Sequence, residues 1–116
     1  MFFWYTKGMD IVQFDDFLKI ELKVGEITSA EAVENSEKLL KLGVDFGESG
    51  KRQIIAGIAK FYTPDQLTGK QAVFIINLQP RMLAGLDSQG MMLCADDGGP
   101  VILSPDKKIS NGSIIK

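Results

Sequence analysis

Apolar and polar residues alternate along several short segments of this chain, and a period of two predicts β-strands. The cleanest alternation lies in residues 39–46, LLKLGVDF, where four apolar side chains share one face. Residues 20–29 alternate as well, with a change of phase at Gly25 that predicts a β-bulge there. The other predicted strands are residues 51–59, 70–78 and 91–96, with shorter strands near 101–103 and 113–115.

Two short helices are predicted between these strands or before them. Apolar residues recur at helical spacing near the N-terminus, which predicts an amphipathic helix over residues 13–19. In the later segment FYTPDQLTGK, Thr63 is a suitable N-cap and Pro64 suits the first helical position. Gly69 is expected to end that single turn of helix.

The order of these elements predicts an all-β protein with minor helices, an OB-fold. This fold is a five-stranded Greek-key β-barrel, here with a short helix between strands 3 and 4 and another at the N-terminus. Barrels of this kind bind ligands with the face of strands 2 and 3 and with the loops between strands 1 and 2 and strands 4 and 5. Residues 30–38 are the first of these loops, and residues 77–91, NLQPRMLAGLDSQGM, span the second. The second is too long for a tight hairpin and carries exposed polar groups, as binding loops do.

Composition excludes several classes of function. The 116 residues contain no histidine, which excludes His-based acid–base catalysis and His-ligated metals. The single cysteine, Cys94, forms no intrachain disulfide, so the protein is expected to be cytoplasmic. The aromatic cluster at residues 2–5 is too short for a membrane span, and no membrane partner is expected. We expect it to pack on the domain or on a second subunit, and we predict an extension at residues 1–12 and a single domain at residues 13–116.

Charge is unevenly distributed in this chain. The net charge is −2, which argues against a strongly basic nucleic-acid binder. Residues 51–95, however, carry five basic residues and only two acidic ones. A basic strip on an acidic body binds phosphate, although more weakly than a basic domain does.

Four blocks of sequence, in order, resemble one known family. They are FDDFLKIELKVGEITSAE, SEKLLKLGVDFG, RQIIAGIAKFYTPDQLTGK and NLQPRMLAGLDSQGM. Together they are similar to the tRNA-binding domain of the methionyl-tRNA synthetase type over roughly residues 14–116. That domain occurs as a C-terminal part of the synthetases, as a free-standing tRNA-binding protein and in a secretion-chaperone-like branch. The resemblance implies an OB-fold, recognition of tRNA by shape, and a homodimer that either acts alone or serves a methionyl-tRNA synthetase in trans.

The resemblance also implies a set of RNA-contacting residues: Lys38, Lys41, Arg52, Asn77, Arg81, Ser88 and Met91. Their chemistry fits that role, because arginine forks onto phosphates, lysine acts as a point charge, and short polar groups suit a 2′-hydroxyl or a base edge. Alternatives stay open for four of them, including Lys41, which also suits the solvated face of a strand. Asn77 also suits a loop held by hydrogen bonds to the backbone, Ser88 a turn, and Met91 the core.

The resulting hypothesis is a non-catalytic tRNA-binding module that has no catalytic residues, cofactor or metal. Adjacent acidic pairs, such as Asp15 and Asp16, point in different directions and do not form a two-carboxylate site. Two alternatives remain. One is a peptide-binding secretion or export chaperone of the same family, and the other is an adaptor that assembles synthetases.

Overall fold

Ten strands, two short α-helices and one 3-10 helix (Gly47–Ser49) form the described part of the chain, residues 10–116 of a computed structural model. The aromatic cluster at residues 2–5 lies outside the described residues, and the domain boundary at residue 12 stays a prediction. The α-helices are α1 (Phe14–Phe17) and α2 (Pro64–Leu67). The strands are β1 (Leu22–Ala32), β2 (Leu40–Asp45), β3 (Lys51–Ala56), β4 (Gln71–Ile75), β5 (Arg81–Leu83), β6 (Leu86–Ser88), β7 (Met91–Met92), β8 (Cys94–Asp96), β9 (Pro100–Ile102) and β10 (Ile114–Ile115).

The main sheet curls around one long, bent strand. Its order is β3-β2-β1-β4-β7, all antiparallel, and β10 pairs with the start of β1. The first half of β1 pairs with β4 and the second half with β2, so β1 bends between two sides of the barrel. The predicted five-stranded barrel with a helix between the third and fourth strands is therefore confirmed.

The core is made from the residues that alternate along the strands. Leu42, Val44 and Phe46 are fully buried, as the period of two in residues 39–46 predicts. The ring of Phe46 meets Phe74 of β4 edge to face, with centroids 5.4 Å apart. Leu67 of α2 is also fully buried and covers one end of the barrel.

Helix α2 begins as its sequence predicts. Thr63 is the N-cap and Pro64 the first helical residue. The side chain of Gln66 turns back to accept a hydrogen bond from the backbone N–H of Thr63, at 2.8 Å. Gly69 follows the helix with φ of +92°, a conformation that glycine adopts without strain.

The predicted bulge at Gly25 is wrong. The pairing of β1 with β4 runs unbroken through Gly25, and the register shifts between Ile27 and Ser29 instead. Gly25 is a glycine for another reason. A β-carbon placed there would lie 2.5 Å from Val44 Cγ1 and 2.6 Å from Phe46 Cε1, so the core packs directly on its backbone.

Several predicted boundaries also differ from the structure. Strand β1 continues to Ala32, because three residues placed in the first loop pair with the start of β2. The predicted strand at residues 91–96 divides at Leu93, where the chain leaves β4 and begins a separate hairpin, β8–β9. The segment 77–91, predicted as a loop, contains the two strands β5 and β6. No helix within residues 10–116 has the length and apolar character that crossing a membrane requires.

Replacing Gly25 with alanine tests the close packing on β1. We expect Gly25→Ala to lower the free energy of unfolding by about 1–3 kcal/mol, because the new methyl group would overpack Val44 and Phe46. Urea denaturation followed by circular dichroism measures this. The matched control is Gly57→Ala, where nothing lies within 4 Å of the new β-carbon. Equal stability of the two variants would contradict the packing argument.

Candidate nucleic-acid interface

The segment between β4 and β7 folds into a β-hairpin that lies against the barrel. Strands β5 and β6 pair Arg81 with Ser88 and Leu83 with Leu86. The two turn residues, Ala84 and Gly85, have φ of +50° and +79°. Positive φ at both positions is the requirement of a type I′ turn, whose twist suits a two-residue hairpin. We call this element the β5–β6 hairpin.

A seam of hydrogen bonds joins β3 to the end of this hairpin. The hydroxyl of Ser88, only 4% exposed, accepts a hydrogen bond from Ile55 N at 3.0 Å and donates one to Gly90 O at 3.1 Å. Gln89 N donates to Gln53 O at 2.8 Å, and Gln53 N donates to the side-chain oxygen of Gln89 at 3.1 Å. These contacts close the barrel on the side where β3 has no neighbouring strand in the sheet order.

Arg52 belongs to the same seam. Its Nη1 donates to the carbonyls of Ile76, at the end of β4, and of Gln89, after the hairpin, at 2.5 and 3.2 Å. The guanidinium group therefore holds both ends of the connecting segment against β3. We call the contacts made by Arg52, Gln53, Ile55, Ser88 and Gln89 the closing seam.

Asn77 holds the start of the connecting segment. Its side-chain oxygen accepts a hydrogen bond from Glu21 N at 2.8 Å, and its amide nitrogen donates to Lys19 O at 2.6 Å. Both partners lie between α1 and β1. The loop-holding alternative for Asn77 is therefore the one that its contacts support, and the structure places Ser88 in a comparable structural role.

The hairpin forms one wall of a groove over the outer face of β2. The groove has a volume of about 400 Å³, and the β1–β2 loop forms its other wall. We call it the hairpin groove; its lining is Ala32, Val33, Glu34, Asn35, Lys41, Ala84 and Leu86. Both predicted binding loops thus meet at the predicted binding face of the barrel.

Lys41 lines this groove, and Lys38 lies in the β1–β2 loop that forms one of its walls. Lys41 Nζ is 3.0 Å from Glu31 Oε1, its partner in the strand register. This pair is partly exposed, so its contribution to stability is at most about 1 kcal/mol, and a phosphate could compete for the lysine. Lys38 has an exposed side chain, and its carbonyl accepts a hydrogen bond from Ala59 N, which anchors the loop.

Arg81 and Met91 line a smaller recess on the other side of the hairpin. Both are exposed, and Ser88 lies in the same recess. Leu78 and Met82 add exposed apolar surface close by in the chain. Of the seven predicted site residues, four therefore have side chains available at the surface, Lys38, Lys41, Arg81 and Met91, whereas Arg52, Asn77 and Ser88 make hydrogen bonds within the fold.

The sequence interpretation missed the acidic residues near this site. Glu34 lines the groove, Glu31 pairs with Lys41, and Asp87 lies on the hairpin. Asn35, which has φ of +65°, was also missed, although Asn is the residue that most often adopts this conformation after Gly. The groove therefore has mixed charge, which favours moderate affinity for phosphate.

No described residues form a cluster suited to a metal. Within residues 10–116, no group of three acidic or cysteine side chains comes together as metal ligands would. Burial raises the pKa of the Cys94 thiol, which disfavours the reactive thiolate. Cys94 packs against the core, as a small apolar side chain does.

Comparison with known proteins decides the family. Residues 22–114 match the family described as putative tRNA binding domain. The matched range includes all of β1, the residues that line the groove and the first residue of β10. The chain belongs to this tRNA-binding domain family. It is 44% identical over 113 residues to the methionine–tRNA ligase of Methanosarcina mazei, covering 96% of this chain and 16% of that protein.

Solved structures resemble the whole domain. The MetRS-related protein from Pyrococcus horikoshii superposes with a TM-score of 0.86 at 35% identity, covering 93% of this tRNA-binding domain and all of that chain. The chaperone CsaA from Bacillus anthracis superposes with a TM-score of 0.85, also at 35% identity, covering 92% of this chain and all of that one. The resemblance to both branches that the sequence indicates is therefore confirmed.

Removing the hydroxyl of Ser88 tests the closing seam of this tRNA-binding domain. We expect Ser88→Ala to lower the free energy of unfolding by about 1–3 kcal/mol, because the buried N–H of Ile55 loses its partner. Urea denaturation measures the change, with Ser104→Ala on the exposed surface as the control. A loss no greater than that of the control would show that the seam does not need this hydroxyl.

Proposed function

We propose that the chain is a non-catalytic module that binds the backbone of tRNA at the hairpin groove. The observation that carries this proposal is the meeting of the two family loops at one groove that Lys41 lines. Lys38 lies in the β1–β2 loop that forms one wall, and Arg81 lies in the recess on the other side of the hairpin. Lysine and arginine at the rim suit phosphates, and their spread over two loops and a strand suits a shape rather than a base sequence.

The seven predicted residues divide into two roles in this proposal. Lys38, Lys41 and Arg81 contact phosphates, and Met91 packs against a base or sugar with its exposed side chain. The other three, Arg52, Asn77 and Ser88, position the hairpin through the hydrogen bonds described above. The remaining N–H groups of Arg52 also reach RNA in this proposal, since its side chain is only partly buried.

The module either acts alone or serves a methionyl-tRNA synthetase in trans. Support for the second role comes from the ligase relatives, of which this chain spans 16% of the length. In either case the module has no reaction of its own and works in the cytoplasm. Because a single mixed-charge groove binds weakly, attachment at two points would raise the apparent affinity.

Truncating basic side chains on the hairpin and on the β1–β2 loop tests the RNA proposal directly. We expect Arg81→Ala and Lys38→Ala each to weaken binding of total tRNA about tenfold, since each loses one charge-assisted phosphate contact. The slope of log K against log salt is expected to fall in magnitude by about 0.9 per contact. Fluorescence anisotropy at several salt concentrations measures both quantities.

The matched control for these variants is Lys51→Ala. Lys51 is exposed at the start of β3 and lines neither the groove nor the recess of Arg81. Equal losses in Lys51→Ala and Arg81→Ala would indicate a nonspecific charge effect and not a groove. Absence of tRNA binding by the native chain at low salt would refute the proposal.

A peptide-binding function has one observation in its favour. Leu78, Met82 and Met91 expose apolar side chains beside the hairpin, and the CsaA chaperone has the same fold. Flexible methionine side chains suit varied apolar partners. The same anisotropy experiment separates the two functions, because binding of apolar peptides would persist at high salt, whereas RNA binding would weaken.

An apolar face away from the groove supports a homodimer. Helix α1 and the start of β1 leave large side chains exposed beside β10, including Phe14 at 69% and Ile114 at 70%. Phe17, Leu18 and Ile20 line a cavity of about 290 Å³ together with Ile114. A contiguous apolar surface of this kind is typical of an interface, and a second copy offers a self-complementary partner.

A charge placed in this face should separate the dimer. We expect Ile114→Glu to convert the protein to a monomer, because the glutamate would be desolvated at the centre of the interface. Light scattering after size-exclusion chromatography gives the mass. The control is Val101→Glu, an exposed apolar position on β9 that should leave the mass unchanged. A native protein that is already monomeric at high concentration would refute the dimer.

A further inference from the structure

A second group of basic side chains surrounds a cavity at the other end of β4. Lys70, Lys107 and Lys108 line this cavity, which has a volume of about 320 Å³. It shares no lining residue with the hairpin groove. Lys70 precedes the first residue of β4, whereas the segment that leads to the β5–β6 hairpin begins after its last residue. We call it the lysine cavity.

Gln71 holds the lysine-bearing segments in place. Its side chain is 9% exposed, accepts a hydrogen bond from Ile109 N at 3.2 Å and donates one to Ile109 O at 2.6 Å. Because Lys70 precedes Gln71 and Lys108 precedes Ile109, these two bonds place the lysines on adjacent segments. Gln71 also donates to Asn111 Oδ1 at 2.8 Å, which continues the anchoring of the C-terminal segment.

The charges in the lysine cavity are not balanced within the described residues. Three lysines face one acid, Asp106, which leaves an excess of two positive charges. None of the three lysines forms an ion pair with another residue of the described range 10–116. Like charges held close together cost free energy, and a bound anion would relieve that cost.

The size and access of the lysine cavity suit a phosphate group. Its volume equals that of about ten water molecules, enough for a phosphate and part of its hydration shell. Access is open beside Gly69, where nothing lies within 4 Å of a β-carbon placed on the backbone. Lysine ammonium groups bind phosphate oxygens as point charges and need no fixed orientation.

We propose that Lys70, Lys107 and Lys108 form a second phosphate-binding site, separate from the hairpin groove. The phosphate comes either from the backbone of an RNA that also occupies the groove or from a free polyphosphate. The RNA source rests on the proposed function, whereas the phosphate chemistry does not. An RNA that contacts both sites would add phosphate contacts that the groove alone does not supply.

The first experiment detects phosphate binding without RNA. Tripolyphosphate is titrated into the ¹⁵N-labelled chain, and the amide signals of residues 69–71 and 104–109 are followed by NMR. We expect a saturable shift of these signals that is lost in the double variant Lys107→Gln/Lys108→Gln. The charge-matched control is Lys51→Gln/Lys60→Gln, since neither lysine lines the lysine cavity or the groove. Well-dispersed spectra establish that both variants fold.

The second experiment measures the salt dependence of tRNA binding in the same proteins. If the RNA backbone uses the lysine cavity, the slope of log K against log salt falls in magnitude by about 1–2 in Lys107→Gln/Lys108→Gln and stays unchanged in the control. A change in either experiment supports the site. If tripolyphosphate shifts the amide signals but the slope of log K against log salt is unchanged, the ligand is a free polyphosphate. If the slope changes, the ligand is the RNA backbone.

No response in either experiment overturns the site. This outcome is distinguishable from failure of the proposed function. If the native chain binds no tRNA at low salt, the proposed function fails, and the tripolyphosphate titration alone decides the lysine cavity. If tRNA binds and responds to Arg81→Ala but neither measurement responds to the lysine variant, the function stands and the lysine cavity does not bind phosphate.

Discussion

Closure of the barrel by the closing seam is the constraint on which the rest of this structure depends. Strand β3 has no partner strand on its outer edge, so its backbone groups must find other partners or stay exposed. Ser88 and Gln89 supply those partners, two from side chains and one from the backbone. Arg52, which belongs to β3, adds side-chain hydrogen bonds to the carbonyls of Ile76 and Gln89. Because the closing seam is built largely from side chains, closure of the barrel depends on the identity of a few residues. It also fixes the hairpin that precedes it, and the groove exists only because that hairpin is held over β2.

This arrangement separates the residues that build the site from those that can touch a ligand. Asn77 fixes the start of the connecting segment, Arg52 contacts both of its ends, and Ser88 fixes the end of β6 against β3. Their hydrogen bonds act over a short distance and are directional, so they fix the position of the connecting segment. The long cationic side chains near the hairpin differ, since they reach the surface and act through charge over several ångströms. Recognition of a shape needs both kinds of residue: a rigid frame and adaptable phosphate contacts.

Much of the fold followed from local patterns in the sequence. The period of two in residues 39–46 located the core, and Thr63 with Pro64 located α2, because both depend on near neighbours in the chain. The bulge was misplaced at Gly25 because the reason for that glycine is non-local. It lies under Phe46, about twenty residues away, and no local pattern reports such a contact. The hairpin in residues 77–91 was missed for a different, local reason: its strands have only three residues each, and the turn is Ala-Gly, not the usual Asn-Gly.

The meeting of the two loops was predicted from the sequence, but the hydrogen bonds that each polar residue makes were not. The architecture and the resemblance to the family placed the binding loops, and the two loops do meet. Whether a polar side chain points to a ligand or into the fold depends on partners distant in sequence, such as Ile55 for Ser88 and Lys19 for Asn77. The family signature therefore mixes framework residues with contact residues, and sequence alone gives both the same weight. Net charge is a poor guide to phosphate binding for the same reason. A chain of net charge −2 still places three lysines around one cavity, because Gln71 joins segments that are far apart in the sequence.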